Sequence, residues 1–262
     1  MNAEPSAPLL ACRGVSRRFG GLLALDGLDF ALDEGRILGL IGPNGSGKTT
    51  FFNVLTGLYP ATGGTIEFAG RPITRLPPPA VYRSGIARTF QRSRLCLPLS
   101  VFDNVVIGDQ TRMNHRLWFN VFQRRALRRQ LEAAREQARQ LLGLFDPPLA
   151  GRLDEQVSRI PMIDRRRVEI CRALISRPRL LLLDEPSAGM THEETTRLMD
   201  DILEARQRIG RLTIILIEHA MGVIERVTER CIVLNYGRKI AEGTYAEIAR
   251  DPGVKQAYLG LE

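Results

Sequence analysis

The sequence predicts an α/β fold: a parallel-sheet core, an antiparallel strand pair ahead of it and a helical insertion in its middle. Three observations carry that prediction. Short apolar runs alternate with helix-forming segments of ten residues or more, the pattern of strand–helix–strand units. A glycine-rich loop, Gly42 to Thr49, stands between one such run and the next helix. The middle of the chain reads as helix alone.

The elements follow in order. Leu9–Val15 and Leu22–Leu32 are partly alternating apolar runs broken by Gly or charge, and read as paired strands. Arg36–Gly42 is mostly apolar, as in a strand buried on both faces of a parallel sheet. A helix is expected from Lys48 to about Leu58, a strand over Thr65–Ala69, and a short helix near Ala80–Ser84 after Leu76-Pro-Pro-Pro79. Gly85–Gln91 reads as an apolar strand ending in Gln91. From about Ser100 to Leu144 the pattern is helical, with Ser100 and Asp103 at capping-box spacing. A second helix spans about Arg165–Ser176. The strand Leu180–Leu183 follows, then a helix capped by Thr191 with Glu194 three residues on, the strand Thr213–Ile217 and a helix from about Ala220. Cys231–Leu234, Lys239–Ala241 and a short tail helix close the chain. These elements place the α/β core at about residues 8–90 and 178–243, a helical subdomain at 91–177 and a tail at 244–262.

Composition bounds the function. With 262 residues the chain suits one large domain or one domain with a subdomain. At 44% apolar and 25% charged residues it is not a disordered chain. No stretch approaches the ~18 apolar residues of a membrane span, and the first residues lack the basic and apolar regions of a secretion signal. Cys12, Cys96, Cys171 and Cys231 form no CxxC pair, which argues against zinc and a disulfide framework and for a reducing cytosol. The net charge of +8 suits a polyanionic partner (nucleotide, nucleic acid or an anionic membrane face) without choosing among them.

Gly42-Pro43-Asn44-Gly45-Ser46-Gly47-Lys48-Thr49 matches GxxxxGK[ST] between a predicted strand and a predicted helix, the context that gives the motif its meaning. Its glycines let the loop wrap phosphates, and amides at the helix start, including that of Thr50, donate to their oxygens. Lys48 is expected at the β- and γ-phosphates and Thr49 on Mg²⁺. Asp184 and Glu185 end an apolar strand where ligands of α/β sheets bind. Asp184 suits Mg²⁺ held through water, and Glu185 suits polarising an attacking water. His219 ends the next strand and suits a γ-phosphate sensor. Gln91, on spacing alone, reads equally well as a surface glutamine.

Together these residues resemble the ATP-binding subunit of an ABC transporter, over nearly the whole chain. The resemblance implies a RecA-like P-loop core with an antiparallel β subdomain and an inserted helical subdomain. It matches Gly42–Thr49 to the Walker A loop, Leu180–Glu185 to the Walker B strand, Ser187–Met190 to the D-loop, His219 to the H-loop and Phe19 to the aromatic residue that stacks on adenine. It matches Gln91 to the Q-loop, a ligand of the metal and a catalytic residue, and makes Gln91–Asn104 the expected docking surface for the membrane subunits. Phe19-Gly-Gly21, Gly85–Gln91, Glu185–Met190, Ile217–His219 and Ala257–Gly260 are similar to one subfamily, which serves branched-chain and hydrophobic amino-acid uptake and has relatives for urea or short amides. The implied system hydrolyses ATP with Mg²⁺ at the cytoplasmic face of the bacterial inner membrane. Its partners are permease subunits, a second ATPase and an external solute-binding protein, and nucleic acid is not among them. Two rival readings are a non-hydrolysing regulatory subunit and a soluble ABC ATPase of translation or DNA repair; a P-loop kinase fits less well.

The pattern breaks at the signature. Where Leu-Ser-Gly-Gly-Gln is expected, the chain has Ile160-Pro161-Met162-Ile163-Asp164. Pro161 offers neither hydroxyl nor N–H, Ile163 adds a branched side chain, and Asp164 is expected to face ATP with a like charge. A heterodimer with a subunit of intact signature is therefore expected over a homodimer. The arginines at 112, 116, 124, 125, 128, 129, 135 and 139 against Glu132 and Glu136 suit either a solvated helix face or anionic headgroups.

Overall fold

The structure, a computed structural model, describes residues 7–91, 94–109 and 123–259. These cluster in two compact units, residues 1–88, 179–185 and 211–262 in the first and residues 89–178 and 186–210 in the second.

In the first unit, β1 (Leu10–Phe19) pairs antiparallel with β2 (Leu22–Leu32) and with β4 (Gly63–Phe68), which pairs with the short β5 (Arg71–Pro72). The second sheet has the order β10-β9-β3-β8-β7-β6. Its strands are β3 (Ile37–Ile41), β6 (Ile86–Arg88), β7 (Leu180–Asp184), β8 (Thr213–Ile217), β9 (Arg230–Asn235) and β10 (Arg238–Gly243), parallel except for β10. β3, β7 and β8 are buried at every residue, which is why they carry unbroken apolar runs instead of alternation. The helix α1 (Lys48–Leu55) buries Phe51, Phe52, Val54 and Leu55 in a core that joins Leu10, Phe30 and Ile66 of the first sheet to Leu40, Leu182, Ile217 and Leu234 of the second.

β1 runs four residues further than its apolar pattern, through Ser16-Arg17-Arg18-Phe19, because pairing with β2 continues past register shifts at Cys12–Val15, Val15–Arg17 and Arg17–Arg18. β6 ends at Arg88, so Gln91 does not end a strand; it lies in a bend three residues on, at the start of the second unit. Past Arg88 the chain has left β7, its pairing partner over Ile86–Arg88.

The helices of the second unit include α3 (Val101–Val106), α4 (Arg124–Phe145), α6 (Met162–Leu174) and α7 (His192–Ile209); α2 (Pro78–Arg83) belongs to the first unit, and α5 (Pro147–Ala150) follows α4. Capping boxes start α3 at Ser100 and α7 at Thr191, as the sequence predicts. Arg112 and Arg116 lie outside the described residues. Residues 186–210, read from sequence as core, group with this unit. The tail, residues 244–259, forms α9 (Tyr245–Ile248) and α10 (Pro252–Leu259), which follow α8 (Met221–Val227) and group with the first.

The physical reason for the α7 assignment is Arg167 on α6. It is 2% exposed and donates to Asp201 of α7 at 2.7 and 2.9 Å and to Asp164 at 2.9 Å, with Asp146 at 3.6 Å. One guanidinium thus satisfies carboxylates from three segments. Replacing Arg167 by Met strands those acids, and urea unfolding should show a loss of about 3–5 kcal/mol. The same change at exposed Arg139, paired with Glu136, should cost less than about 1 kcal/mol. Equal losses would contradict the burial of the Arg167 cluster.

Candidate functional site

The site grows from the loop between β3 and α1. Gly42 has φ +146°, and a Cβ there would lie 2.1 Å from the Leu234 carbonyl oxygen of β9. Gly47 has φ +107°, and its Cβ would lie 2.6 Å from the Ala24 carbonyl oxygen of β2. Any side chain at either position would push the loop off the strands, so both must be glycine. The β9–β10 turn holds the loop from its other side: Gly237 donates to the Ser46 carbonyl at 2.9 Å, and Asp26 donates to the Gly237 carbonyl at 2.9 Å.

The clamped loop delivers the N-terminus of α1. No side chain caps it and its first turn holds no acid, which leaves the early amides and the positive helix end for an anion. The buried Ser46 hydroxyl has no hydrogen-bond partner among the described residues, which suits a bound oxyanion or its water. Pro43 is half-buried, Asn44 and Gly45 are exposed, and Thr50 is half-buried on the first helical turn. Lys48 is 6% exposed, and its Nζ donates to the loop's own carbonyls, 2.7 Å to Gly42 and 2.9 Å to Pro43. Burial pushes its ammonium pKa down against the opposing pull of Glu185 and Asp184. The ammonium therefore sits in the loop with a strong electrostatic incentive to meet phosphate.

Beside the loop stand the ends of β7 and β8. Asp184 is buried, and burial raises its pKa, opposed chiefly by its hydrogen bond from Arg88. Arg88 Nη2 donates to Asp184 Oδ2 at 2.5 Å and Nη1 to Asn53 Oδ1 of α1 at 2.6 Å. Glu185 adopts φ +49°, a left-handed conformation that costs about 1–2 kcal/mol for a residue with a Cβ. Its amide donates to the Ile217 carbonyl at 2.9 Å, and its Oε1 lies 2.8 Å from His219 Nε2. The twist therefore turns the Glu185 carboxylate to the imidazole at the end of the neighbouring strand. Strain held by such contacts is a recurrent feature of reactive sites. Thr49 is exposed on the first turn of α1, so its hydroxyl is accessible to a ligand. A hydroxyl and a carboxylate are hard oxygen donors of the type Mg²⁺ takes, and the residues fit that metal with a phosphate group.

Phe19 ends β1 half-buried. Tyr59 meets its ring edge-on at 5.2 Å between centroids, and the Arg17 guanidinium covers it at 4.4 Å. Tyr59 is a partner that sequence reasoning missed, as are Arg88 and Asn53. Arg88 lies within the Gly85–Gln91 segment, but nothing local in the sequence marks its contacts or those of Asn53 and Tyr59. Gln91 is exposed in the second unit and is not among the residues that the first unit gathers.

The signature segment starts α6. Pro161 is its N-cap, with no side-chain cap, and Met162 is 43% exposed. The expectation that Asp164 faces nucleotide is corrected. Asp164 is buried and accepts from Arg167 at 2.9 Å and from Arg152 at 3.3 Å, so its charge is neutralised inside the helical unit.

A family model described as ABC transporter matches residues 25–188, and one described as branched-chain amino acid ATP-binding cassette transporter matches residues 238–262. The chain is 40% identical to the high-affinity branched-chain amino acid transport ATP-binding protein LivG of Salmonella typhimurium over 97% of this chain and 99% of that protein. It is 37% identical to BraF of Pseudomonas aeruginosa over 97% and 99% of the two chains. Its fold matches the ADP conformation of an ATP-binding cassette of an ABC transporter with TM-score 0.83 and 27% identity, over 97% of this chain and 100% of that one. A nucleotide-free cassette of an ABC transporter matches with TM-score 0.82 and 28% identity, over 96% and 98% of the chains.

If the loop binds phosphate through Lys48, Lys48→Ala should weaken ATP binding at least tenfold in an equilibrium titration, the loss of a charge-assisted contact of about 1.5–3 kcal/mol. Unchanged affinity would contradict the assignment.

Proposed function

The chain belongs to the ATP-binding proteins of ABC transporters, and on that premise we propose that it powers import of branched-chain or other hydrophobic amino acids. It is an ATPase subunit whose ATP hydrolysis is coupled to transport. The observation that carries the solute class is identity to branched-chain transport proteins from end to end, including the tail segment over residues 238–262.

In this reading the α1 amides and Lys48 hold the β- and γ-phosphates. Thr49 and Asp184 hold Mg²⁺, which when bound shields the charge of the phosphates. Glu185 accepts a hydrogen bond from the attacking water and orients it. His219, whose Nε2 lies 2.8 Å from Glu185 Oε1, keeps that carboxylate in place, and its position by motif makes it the γ-phosphate sensor of this reading. Phe19 stacks on adenine, with Tyr59 as the wall beside it. Gln91 is assigned to the metal and to coupling by its motif alone.

The partners of this reading are two permease subunits, an external solute-binding protein and a second ATPase subunit, with the chain peripheral at the cytoplasmic face of the inner membrane. Among the described residues no helix is long and apolar enough to cross a membrane. The second ATPase is proposed to be a different chain with an intact signature. Pro161 removes a hydroxyl and an amide from the signature, and Met162 and Ile163 put bulk where two glycines leave room. Asp164 adds nothing to this difference, because its charge is internally paired. Losing one preorganised donor to a developing charge costs about 10²–10³ in rate, and further losses need not add. A homodimer would lack these donors at both sites.

Two outcomes check this reading. In the assembled transporter, Glu185→Gln should retain ATP binding and lose turnover by roughly a hundredfold or more; near-normal phosphate release would remove Glu185 from the role. In proteoliposomes, the solute-binding protein should stimulate ATP hydrolysis when loaded with leucine, isoleucine or valine. Stimulation by urea or a short amide alone would replace the proposed solute.

A further inference from the structure

We propose that Arg88 is a positioning residue whose guanidinium sets the spacing and orientation of two elements that each carry a Mg²⁺ ligand, α1 with Thr49 and β7 with Asp184. The proposal rests on the reading of Thr49 and Asp184 as those ligands.

Arg88 is the last residue of β6 and pairs in register with Leu182, two residues before Asp184 on β7. Its side chain is 5% exposed and that of Asp184 2%. One arm of its fork, Nη2, donates to Asp184 Oδ2 at 2.5 Å. The other arm, Nη1, donates to Asn53 Oδ1 at 2.6 Å. Its central carbon lies over the Phe52 ring, 5.2 Å from the ring centre. Asn53 follows Thr49 by four residues on α1, so the two share a helix face one turn apart.

A buried arginine–aspartate pair alone would be weak support for a functional role, since desolvation offsets most of its attraction. The division of the fork is what points further. Each arm ends on a different element, and each of those elements supplies one ligand. The planar guanidinium has fixed donor directions, so holding both acceptors fixes α1 against β7. A lysine has a single ammonium on a flexible stem and cannot hold two acceptors on opposite arms in the same way. Carboxylate ligands depend on such partners for their orientation, and loss of one typically weakens metal binding by about 10–100-fold.

The test uses the purified full chain and a fluorescent ATP analogue. Nucleotide affinity is titrated in EDTA, and Mg²⁺ is then titrated at saturating nucleotide. Arg88→Met and Asn53→Leu should each raise the Mg²⁺ concentration at half-effect about tenfold, with affinity in EDTA unchanged, and Arg88→Lys should not restore it. Asn53→Leu leaves the buried ion pair intact and reads the strut by itself if Arg88→Met does not fold. Asp184→Asn, as the reference, should abolish the Mg²⁺ effect. An unchanged or lower Mg²⁺ requirement in both strut variants, with Asp184→Asn still defective, overturns the strut and leaves the ligand reading standing. Equal loss of affinity in EDTA and in Mg²⁺ overturns it as well, by showing a general structural role. A wild-type chain indifferent to Mg²⁺ removes the ligand reading and the strut together.

Discussion

The phosphate loop is held by backbone on two sides, and the site depends on that clamp. The Leu234 carbonyl of β9 lies against Gly42 and the Ala24 carbonyl of β2 against Gly47, leaving no room for a Cβ at either. The loop therefore links both sheets of the first unit, and the direction of α1 follows from it. With α1 fixed, its uncapped amides converge on one region and Lys48 is forced under its own carbonyls. The parallel order of β3, β8 and β7 then brings the carboxyl ends of the last two beside the loop, as open α/β sheets do for their ligands. The side chains proposed to act on nucleotide, Asp184, Glu185 and His219, stand at or just beyond these strand ends.

Much of this was legible in the sequence because the signals are local. Unbroken apolar runs marked β3, β7 and β8, and the glycine spacing marked the loop. Capping-box spacing marked the starts of α3 and α7. What escaped depends on contacts far apart in the chain. Arg88 and Asn53 are 35 residues apart, and Arg88 and Asp184 are 96 apart; no local pattern announces either contact. Asp164 was misread for the same reason. Its position in the signature points toward a ligand, yet Arg152 and Arg167 draw it inward. The polar end of β1 was missed because half-exposed residues there do not alternate, although the ladder to β2 carries them.

The second unit shows how a sequence can lose one feature and keep the scaffold that presents it. α6 keeps its buried face, with Val168, Ile170, Cys171 and Leu174 in the core, and Arg167 fastens it to α7 through Asp201. Only the first turn has changed. Proline at the N-cap is compatible with a helix start, since its missing N–H would have no intrahelical partner there. The helix therefore folds without the signature residues, and that division is what the proposal of a second, different ATPase subunit rests on.

Phosphate release by the assembled transporter tests that asymmetry most directly, comparing two lysine changes. One is Lys48→Ala in this chain, and the other is the matching change in the second ATPase subunit. The account predicts that the change in this chain abolishes most turnover and that the matching change leaves much of it, because only this chain's phosphate loop meets an intact signature. Equal losses from the two changes, or full turnover by this chain alone, would contradict it.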